Sequence, residues 1–210
     1  MMYFWHLLSM AGSLAVTGPI GAAIAIYLIA GKQWRLTLAW GVLFGIGMAL
    51  VVITKMAFMG WGLGVESVEF AGFSGHAMRA AAVYPVAGYL VLRSTGRYAR
   101  YVGAVIGVIL AVLISISRVP TLAHSVSEVV TGAVLGLLVA GAFIHFASQE
   151  HRWAMSRMLA VLCVPIVLVA PNVEPIPAED WITRVALKLS GRDHPYTRAM
   201  WHQNKFSYID

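Results

Sequence analysis

Long apolar runs alternate with short polar connections along most of this chain. A helix needs about 20 mostly apolar residues to cross a bilayer, and six runs reach or approach that length. They cover residues 14–30, 36–58, 74–92, 101–116, 121–146 and 155–170. The pattern therefore predicts an all-α integral membrane bundle of six transmembrane helices, formed by residues 1–171.

The remaining residues, 172–210, form a more polar tail. Within it, a helix over residues 178–189 would place Trp181, Val185 and Leu189 along one face. Such a face is typical of an amphipathic helix that lies in the membrane interface. We expect this helix to act as a surface anchor.

Composition supports a membrane protein and disfavours several other classes. Of the 210 residues, 60% are hydrophobic and 11% are charged, whereas soluble domains are about 25% charged. The formal net charge is +6, but the basic residues fall in short clusters between apolar runs, which is not the pattern of a nucleic-acid-binding stripe. Cys163 is the single cysteine, so neither a disulfide framework nor a thiolate metal site is expected.

The basic clusters also predict an orientation. Six spans place three of the connections on one side of the membrane, and each of these carries a basic cluster: Lys32 with Arg35, Arg93 with Arg97 and Arg100, and His151 with Arg152 and Arg157. An excess of Lys and Arg marks the cytoplasmic side. The loop at residues 60–73, the link at residues 117–120 and both termini then lie on the non-cytoplasmic side.

The link between the fourth and fifth runs, together with the start of the fifth run, carries three residues suited to a reaction centre. If a helix starts near Pro120 or Thr121, His124 and Glu128 lie one turn apart on one face. The carboxylate can then accept a hydrogen bond from one ring nitrogen and leave the other basic. Arg118, on the far side of the proline, is a planar cation suited to phosphate oxygens.

A second cluster, Ser74-Gly75-His76, precedes the third run. The start of a helix offers free N–H groups and the positive end of the helix dipole, which together favour an anion. Gly75 lets a ligand approach the backbone, Ser74 can cap the helix or donate to an oxyanion, and His76 can protonate a leaving group. Taken alone, the tripeptide is more typical of a capping serine beside a histidine at the membrane surface.

Two further cations are predicted to lie on the same, non-cytoplasmic side of the membrane. Lys55 lies near the end of the second run, where a side chain that snorkels to the interface is an alternative. Arg79 lies one turn beyond His76 in an otherwise apolar helix, so it needs a partner. Glu128 and a bound phosphate are both suitable partners.

These residues, between about Lys55 and Gly136, resemble the type-2 phosphatidic acid phosphatase superfamily. Ser74-Gly75-His76 is similar to its second signature, and Ser117-Arg118 with His124 and Glu128 is similar to its third. The superfamily includes membrane lipid phosphatases, undecaprenyl-pyrophosphate phosphatases and vanadium haloperoxidases.

The resemblance implies a role for each matching residue. His124 would be a nucleophile that forms a phosphohistidine, Glu128 would orient it, and His76 would protonate the leaving group and then activate water. The residues implied to hold the phosphoryl oxygens are Lys55, Ser74, Gly75 and Arg118. The family mechanism needs no metal or other cofactor, and we expect none here.

Three positions depart from the family pattern. The first signature has Arg-Pro after its lysine, but Gly62-Leu63 stands at that place, so one phosphate-binding arginine is missing. The usual proline before the second signature is Phe73, and the usual aspartate of the third is Glu128. We hypothesise that Arg79 replaces the missing arginine.

The sequence therefore predicts a phosphatase of the bacterial inner (plasma) membrane whose site faces the periplasm or the exterior. Its expected partners are the bilayer and a lipid phosphate or pyrophosphate, such as an isoprenyl pyrophosphate, a phosphatidate-like lipid or a lipid A phosphate, and not nucleic acid. The oligomeric state stays open. Alternatives are a lipid phosphotransferase, a non-catalytic lipid-phosphate binding or transport protein, and a rhomboid-like intramembrane protease suggested by Gly72-Phe73-Ser74-Gly75.

Overall fold

The computed structural model describes residues 2–150, 159, 163 and 178–201, and these residues fold into helices and loops without a strand. Seven α-helices have defined bounds in this part of the chain. They are α1 (Met2–Ala11), α2 (Leu14–Ala30), α3 (Trp34–Trp61), α4 (Gly75–Val91), α5 (Arg97–Ser117), α6 (Val126–Gln149) and α7 (Ala178–Ser190). Short 3-10 helices at Glu66–Val68 and Arg93–Thr95 lie in the loops.

Four helical stretches of the described chain are long and apolar enough to cross a membrane. They are Phe4–Ala30, Trp34–Trp61, Arg97–Ser117 and Val126–Gln149. The predicted third span forms α4, which has only 17 residues and lies inside the bundle. Apart from residues 159 and 163, the predicted sixth span, residues 155–170, falls outside the described residues. The all-helical class and the membrane-like helices are thus observed, while the number of six spans stays a prediction.

The outer faces of two of these helices carry exposed apolar stripes. On α3 the stripe contains Leu38, Val42, Ile46 and Leu50, and on α6 it contains Val126, Val130, Val134 and Leu138. Both stripes repeat every fourth residue, so each follows one side of its helix. Soluble proteins rarely expose continuous apolar surfaces of this extent, whereas lipid chains cover them well.

Helix α4 is the centre of the bundle and packs mainly against α5 and α6. Glycines allow this close contact. A Cβ atom at Gly88 would lie 2.2 Å from the carbonyl oxygen of Gly103 on α5, and one at Gly136 would lie 2.2 Å from that of Met78. Small residues of this kind let membrane helices approach backbone to backbone. The packing fixes the start of α4 between its two neighbours.

The start of α6 differs from the expectation. The helix begins at Val126, so the prediction of a start near Pro120 or Thr121 was wrong. Ser125 caps the helix, and its hydroxyl accepts a hydrogen bond from the N–H of Glu128 while the carboxylate accepts one from the N–H of Ser125. This capping box satisfies two N–H groups that a longer helix would have bonded internally.

The two ends of the bundle differ in chemistry. At one end Arg93, after α4, donates to the carbonyl of Glu150, after α6. The starts of α4 and α6 therefore lie together at the opposite end, where α3 and α5 finish. The arginine-rich connections and the candidate catalytic residues thus belong to opposite ends of the same helices.

The C-terminal part of the described chain folds back onto the end of α3. The predicted helix at residues 178–189 is present as α7, which packs on α3. Beyond it, the N–H of Tyr196 donates to the carbonyl of Met59 at 2.9 Å, and the ring of Trp201 lies edge-on to that of Phe58 with centroids 5.0 Å apart. Residues from the tail are thereby brought over the ends of α3, α4 and α6.

Candidate active site

His124 and Glu128 form the predicted hydrogen-bonded pair. Nδ1 of His124 lies 2.7 Å from Oε2 of Glu128, and the Glu128 side chain is only 2% exposed. His124 lies just before the capping residue Ser125, and Glu128 is the third residue of the helix. The capping box, and not a full helical turn, therefore aims the carboxylate back at the imidazole.

The other hydrogen bonds of Glu128 hold the carboxylate from several sides. Its Oε1 accepts from the N–H of Ala71 at 2.9 Å. Its Oε2 accepts from the N–H of Ser125 at 3.3 Å and from Nη2 of Arg198 at 2.6 Å. A buried carboxylate with this many donors remains ionised and fixed in orientation. Arg198 was not among the residues predicted for the site.

His124 is poised as a neutral base. Burial lowers the pKa of His124 below its usual value; the hydrogen bond to Glu128 raises it, and the charges of Lys55 and Arg118 lower it again. Because Nδ1 faces a carboxylate, this nitrogen carries the proton and donates. The lone pair of the neutral ring is then on Nε2, which leaves that atom free to act as a nucleophile.

Ser74 and Gly75 shape the start of α4. The fully buried Ser74 is the capping residue, and its hydroxyl accepts a long 3.5 Å hydrogen bond from the N–H of Ala77. Its own N–H donates to the carbonyl of Glu128 at 3.0 Å, which joins the starts of α4 and α6. A Cβ atom at Gly75 would lie 2.8 Å from Nη1 of Arg79. Gly75 therefore leaves the space that this guanidinium fills.

A cavity of about 390 Å³ lies beside the start of α4, and we call it the large lobe. Its polar wall contains His76, Arg79 and Arg118, together with Lys55 and Glu179. Its apolar wall comes from α2, α3 and α7 and contains Leu14, Met48, Val51, Val52, Trp181 and Ile182. An anionic group and an attached apolar chain would both find suitable neighbours there.

A second cavity of about 140 Å³, the small lobe, contains the nucleophile candidate. It is lined by His124, Glu128 and Arg198, and also by Lys55 and Glu179. The two lobes therefore share Lys55 and Glu179 at their boundary. Within the described residues, no group of three or more His, Cys, Asp or Glu side chains is placed to hold a metal ion.

Lys55 is buried and forms an ion pair with Glu179 of α7. Burial alone would raise the pKa of Glu179, but the charge and hydrogen bond of Lys55 outweigh this and lower it. Glu179 is therefore an ionised carboxylate beside the predicted phosphate-binding lysine. The sequence did not identify Glu179 as a site residue, because Lys55 and Glu179 are 124 positions apart. An acidic residue in the first turn of a helix is also common for reasons unrelated to a site.

Arg79 has different partners from those expected. Its Nε donates to Oγ1 of Thr17 at 3.2 Å, and its Nη2 donates to the carbonyl of Gly12 at 3.4 Å. Glu128, one of the two anticipated partners, is hydrogen-bonded to other groups. Hydroxyl and carbonyl acceptors at the start of α2 thus satisfy the guanidinium without neutralising its charge, which remains available to an anion in the large lobe.

Arg118 follows the last residue of α5, so its side chain lies at the same end of the bundle. Nη1 donates to Oγ of Ser9 on α1. Its Nε is buried and has no hydrogen-bond partner in the part of the chain that the structure describes. A cation with a spare buried donor at the wall of a cavity is well suited to an anionic ligand.

Comparison with known proteins identifies the family. The PAP2 superfamily model matches residues 58–152, which include the two predicted histidines and Glu128. A Klebsiella pneumoniae protein described as an uncharacterized 22.5 kDa protein in the cps region is 32% identical over 207 residues, which is 95% of this chain and 98% of that protein. The chain belongs to the PAP2 superfamily.

A second relative of this PAP2 protein is a named enzyme. Phosphatidylglycerophosphatase B of Bacillus subtilis is 41% identical over 78 residues, which cover 36% of this chain and 38% of that enzyme. No solved structure matches the chain significantly. The family resemblance based on the second and third signatures is therefore confirmed.

Family membership and the position of Ser74 both argue against the rhomboid-like protease. The rhomboid-like interpretation requires Ser74 to be an activated nucleophile, but this hydroxyl is buried and caps α4. It is therefore positioned as a structural acceptor at the start of a PAP2 helix.

Proposed function

We propose that this PAP2 protein is an integral membrane phosphatase that hydrolyses a lipid phosphate or pyrophosphate through a phosphohistidine on His124. The observation that carries the proposal is the 2.7 Å hydrogen bond between His124 and Glu128, next to a cavity lined by Lys55, His76 and Arg118. Phosphatases are members of the PAP2 superfamily, and the partial similarity to a phosphatidylglycerophosphatase supports the same reaction.

In the first half-reaction, the phosphoryl group lies at the boundary of the two lobes. Lys55, Arg79 and Arg118 balance the charge of its oxygens. Nε2 of His124 attacks the phosphorus atom, and the bond from phosphorus to the lipid oxygen, or to the leaving phosphate, breaks. His76, held in its protonated form by the negative charge of the bound phosphoryl group, gives its proton to that departing oxygen. Glu128 stabilises the positive charge that develops on the His124 ring.

In the second half-reaction, the phosphohistidine is hydrolysed. The now neutral His76 takes a proton from a water molecule, and the oxygen of that water attacks phosphorus. The phosphorus–nitrogen bond breaks, its electron pair returns to Nε2 of His124, and inorganic phosphate leaves. Splitting one displacement into two steps in this way is covalent catalysis.

The apolar wall of the large lobe supports a lipid substrate. Met48, Val51 and Val52 of α3 face Trp181 and Ile182 of α7 across the cavity. An acyl or prenyl chain can pack against these side chains while the headgroup reaches the cations. Isoprenyl pyrophosphates, phosphatidate-like lipids and lipid A phosphates all combine these two parts.

The charge distribution supports a site on the outer side of a bacterial plasma membrane. The connections after α2 and α4, together with the first turns of α3 and α5, carry Lys32, Arg35, Arg93, Arg97 and Arg100, at the end of the bundle away from His124. Basic connections mark the cytoplasmic side, so the site faces the periplasm or the exterior.

Phosphate release from a panel of lipids tests the proposal. Phosphatidate, an isoprenyl pyrophosphate and lipid A in mixed micelles are incubated with the wild type, His124→Ala and His145→Ala. The exposed His145 lies near the other end of α6 and bonds to Gln149, so it is a matched control. We expect release by the wild type and the control, and none by His124→Ala.

Trapping the intermediate separates this mechanism from the alternatives. A labelled lipid phosphate should leave acid-labile phosphate on the wild type and none on His124→Ala. Transfer of the label to an added lipid hydroxyl would favour a phosphotransferase. Binding without release across the whole panel would favour a non-catalytic lipid-phosphate protein and overturn the proposal.

A further inference from the structure

Arg198 lies outside the region matched to the family, yet it reaches the centre of the candidate site. Its Nη2 donates to Oε2 of Glu128 at 2.6 Å, and that same oxygen lies 2.7 Å from Nδ1 of His124. One carboxylate oxygen is thus shared between a permanent cation and the imidazole. The Arg198 side chain is 34% exposed and the Glu128 side chain 2% exposed, so the arginine lies between the buried pair and solvent.

The backbone near Arg198 is seated on the end of α3. The N–H of Tyr196 donates to the carbonyl of Met59, and Trp201 packs edge-on against Phe58. A Cβ atom at Gly62 would lie only 3.0 Å from the Tyr196 ring, so the end of α3 is shaped to receive this segment. These contacts on both sides of Arg198 fix the direction from which its side chain approaches Glu128.

We propose that Arg198 is a positioning residue that sets how strongly Glu128 holds the His124 ring, and thereby keeps His124 neutral and nucleophilic. The inference rests on the proposed function, since it assigns Arg198 a part in the same reaction. A second charge-assisted donor on one carboxylate oxygen reduces the negative potential that the first donor experiences.

Removal of Arg198 would change the electrostatic potential at the Glu128 carboxylate more than it would change the position of that carboxylate. The N–H groups of Ala71 and Ser125 each hold one carboxylate oxygen, and burial prevents the side chain from turning away. Without the arginine, Oε2 interacts more strongly with His124. The protonated ring is then favoured over the neutral one.

Other charged or titratable groups face His124 from every neighbouring element. They are Lys55 from α3, His76 from α4, Arg118 after α5 and Glu179 from α7. Burial, Lys55 and Arg118 lower the pKa of His124, against the raising effect of its hydrogen bond to Glu128. Loss of Arg198 strengthens that raising effect, so the pKa of His124 should increase.

An NMR titration of the full-length protein with ¹⁵N-labelled histidine tests this without requiring catalysis. The signal of His124 is assigned by its absence in His124→Ala and is titrated in the wild type, Arg198→Ala and Arg198→Lys. Arg192→Ala is the matched control, because Arg192 stacks on Tyr196 in the same segment at 4.1 Å and donates to the carbonyl of His194.

We expect the pKa of His124 to rise in Arg198→Ala, to return towards the wild-type value in Arg198→Lys, and to stay unchanged in Arg192→Ala. Thermal unfolding of each variant checks that it is folded. A pKa of His124 that is unchanged or lower in folded Arg198→Ala would overturn the inference.

Phosphate release as a function of pH gives a second readout. Arg198→Ala should lose activity several-fold below neutral pH and approach the wild type above the usual pKa range of histidine, with little change in KM. An equal loss at every pH with a raised KM would instead make Arg198 a substrate-binding residue and refute the inference. If no variant hydrolyses any lipid phosphate, the proposed function fails, and the titration still decides the effect of Arg198 on His124.

Discussion

Lys55 on α3 and Glu179 on α7 form an ion pair, and both residues line the large lobe as well as the small lobe. Lys55 is buried, whereas the Glu179 side chain is 63% exposed. A carboxylate therefore holds the lysine that the proposed reaction uses to bind a phosphoryl group. The oxygens of a substrate would therefore compete with this anion for Lys55.

We expect Glu179→Gln to bind lipid phosphates more tightly, because the amide no longer competes as an anion for Lys55. KM should fall several-fold, and kcat should change little. Phosphate-release kinetics measure both values. Asp180→Asn is the control, since Asp180 is the adjacent exposed carboxylate on α7. A raised KM in Glu179→Gln would show that the carboxylate orients Lys55 for substrate and does not compete with it.

The pH dependence of kcat/KM should reflect His124. Its pKa lies below the usual value because of burial, and only the neutral ring is nucleophilic. Lowering the pH through the usual histidine range, near 6.5, should therefore leave the activity largely intact, and the loss should come at lower pH. A decline centred at or above the usual value would contradict this assignment. A rate that keeps rising above the histidine range would contradict His76 as the acid.

Substitution of Glu128 separates charge from shape. Glu128→Gln keeps the size of the side chain but removes the charge that stabilises the protonated His124 ring and pairs with Arg198. We expect kcat to fall about a hundredfold or more, by analogy with amide replacements of other histidine-orienting carboxylates. Glu128→Asp keeps the charge and should lose less activity. Equal losses in the two variants would mean that carboxylate position, and not charge, is the requirement.

Arg79 is the hypothesised replacement for the missing arginine of the first signature. Its charge is not neutralised by its described partners, Thr17 and Gly12, and it lines the large lobe with Arg118. Arg79→Ala should lose activity about as severely as Arg118→Ala, mainly through a raised KM. Thr17→Val removes one hydrogen bond to Arg79 but leaves the cation, so it should keep most of the activity. Wild-type turnover by Arg79→Ala would refute the hypothesis.

Part of this site could be predicted from short-range pattern alone. His124 and Glu128 are close in sequence, and a capping box brings the same two side chains together as the expected helical turn would have done. Counting the apolar runs was also enough to predict that His76 and Lys55 lie at the same end of the bundle as this pair. The catalytic roles of these residues remain predictions.

The remaining site contacts depend on how distant segments dock. Glu179 and Arg198 reach the site because the tail packs against the end of α3, and neither has a local signal that distinguishes it from a surface charge. The acceptors of Arg79 are a threonine hydroxyl and a main-chain carbonyl, which residue type alone does not reveal. Contacts of this kind follow from tertiary packing and not from periodicity.

The glycines of α6 provide a prediction about how the scaffold supports the site. A Cβ atom at Gly136 would lie 2.2 Å from the carbonyl oxygen of Met78, and one at Gly132 would lie 2.6 Å from that of Ser74. Gly136→Ala should therefore separate α4 from α6 and lower the free energy of unfolding by about 1–3 kcal/mol. Gly141→Ala is the matched control on the same helix, because nothing lies within 4 Å of its added Cβ.

Gly132→Ala should also reduce phosphate release, because a displaced Ser74 moves the start of α4 away from Glu128, to whose carbonyl Ser74 is bonded at 3.0 Å. Thermal unfolding and phosphate release, measured on the same preparations, distinguish the two effects. Gly136→Ala should lose mainly stability, Gly132→Ala should lose activity even where it is fully folded, and Gly141→Ala should lose neither. If Gly132→Ala folds and keeps wild-type activity, the close contact between the starts of α4 and α6 does not set the geometry of the site.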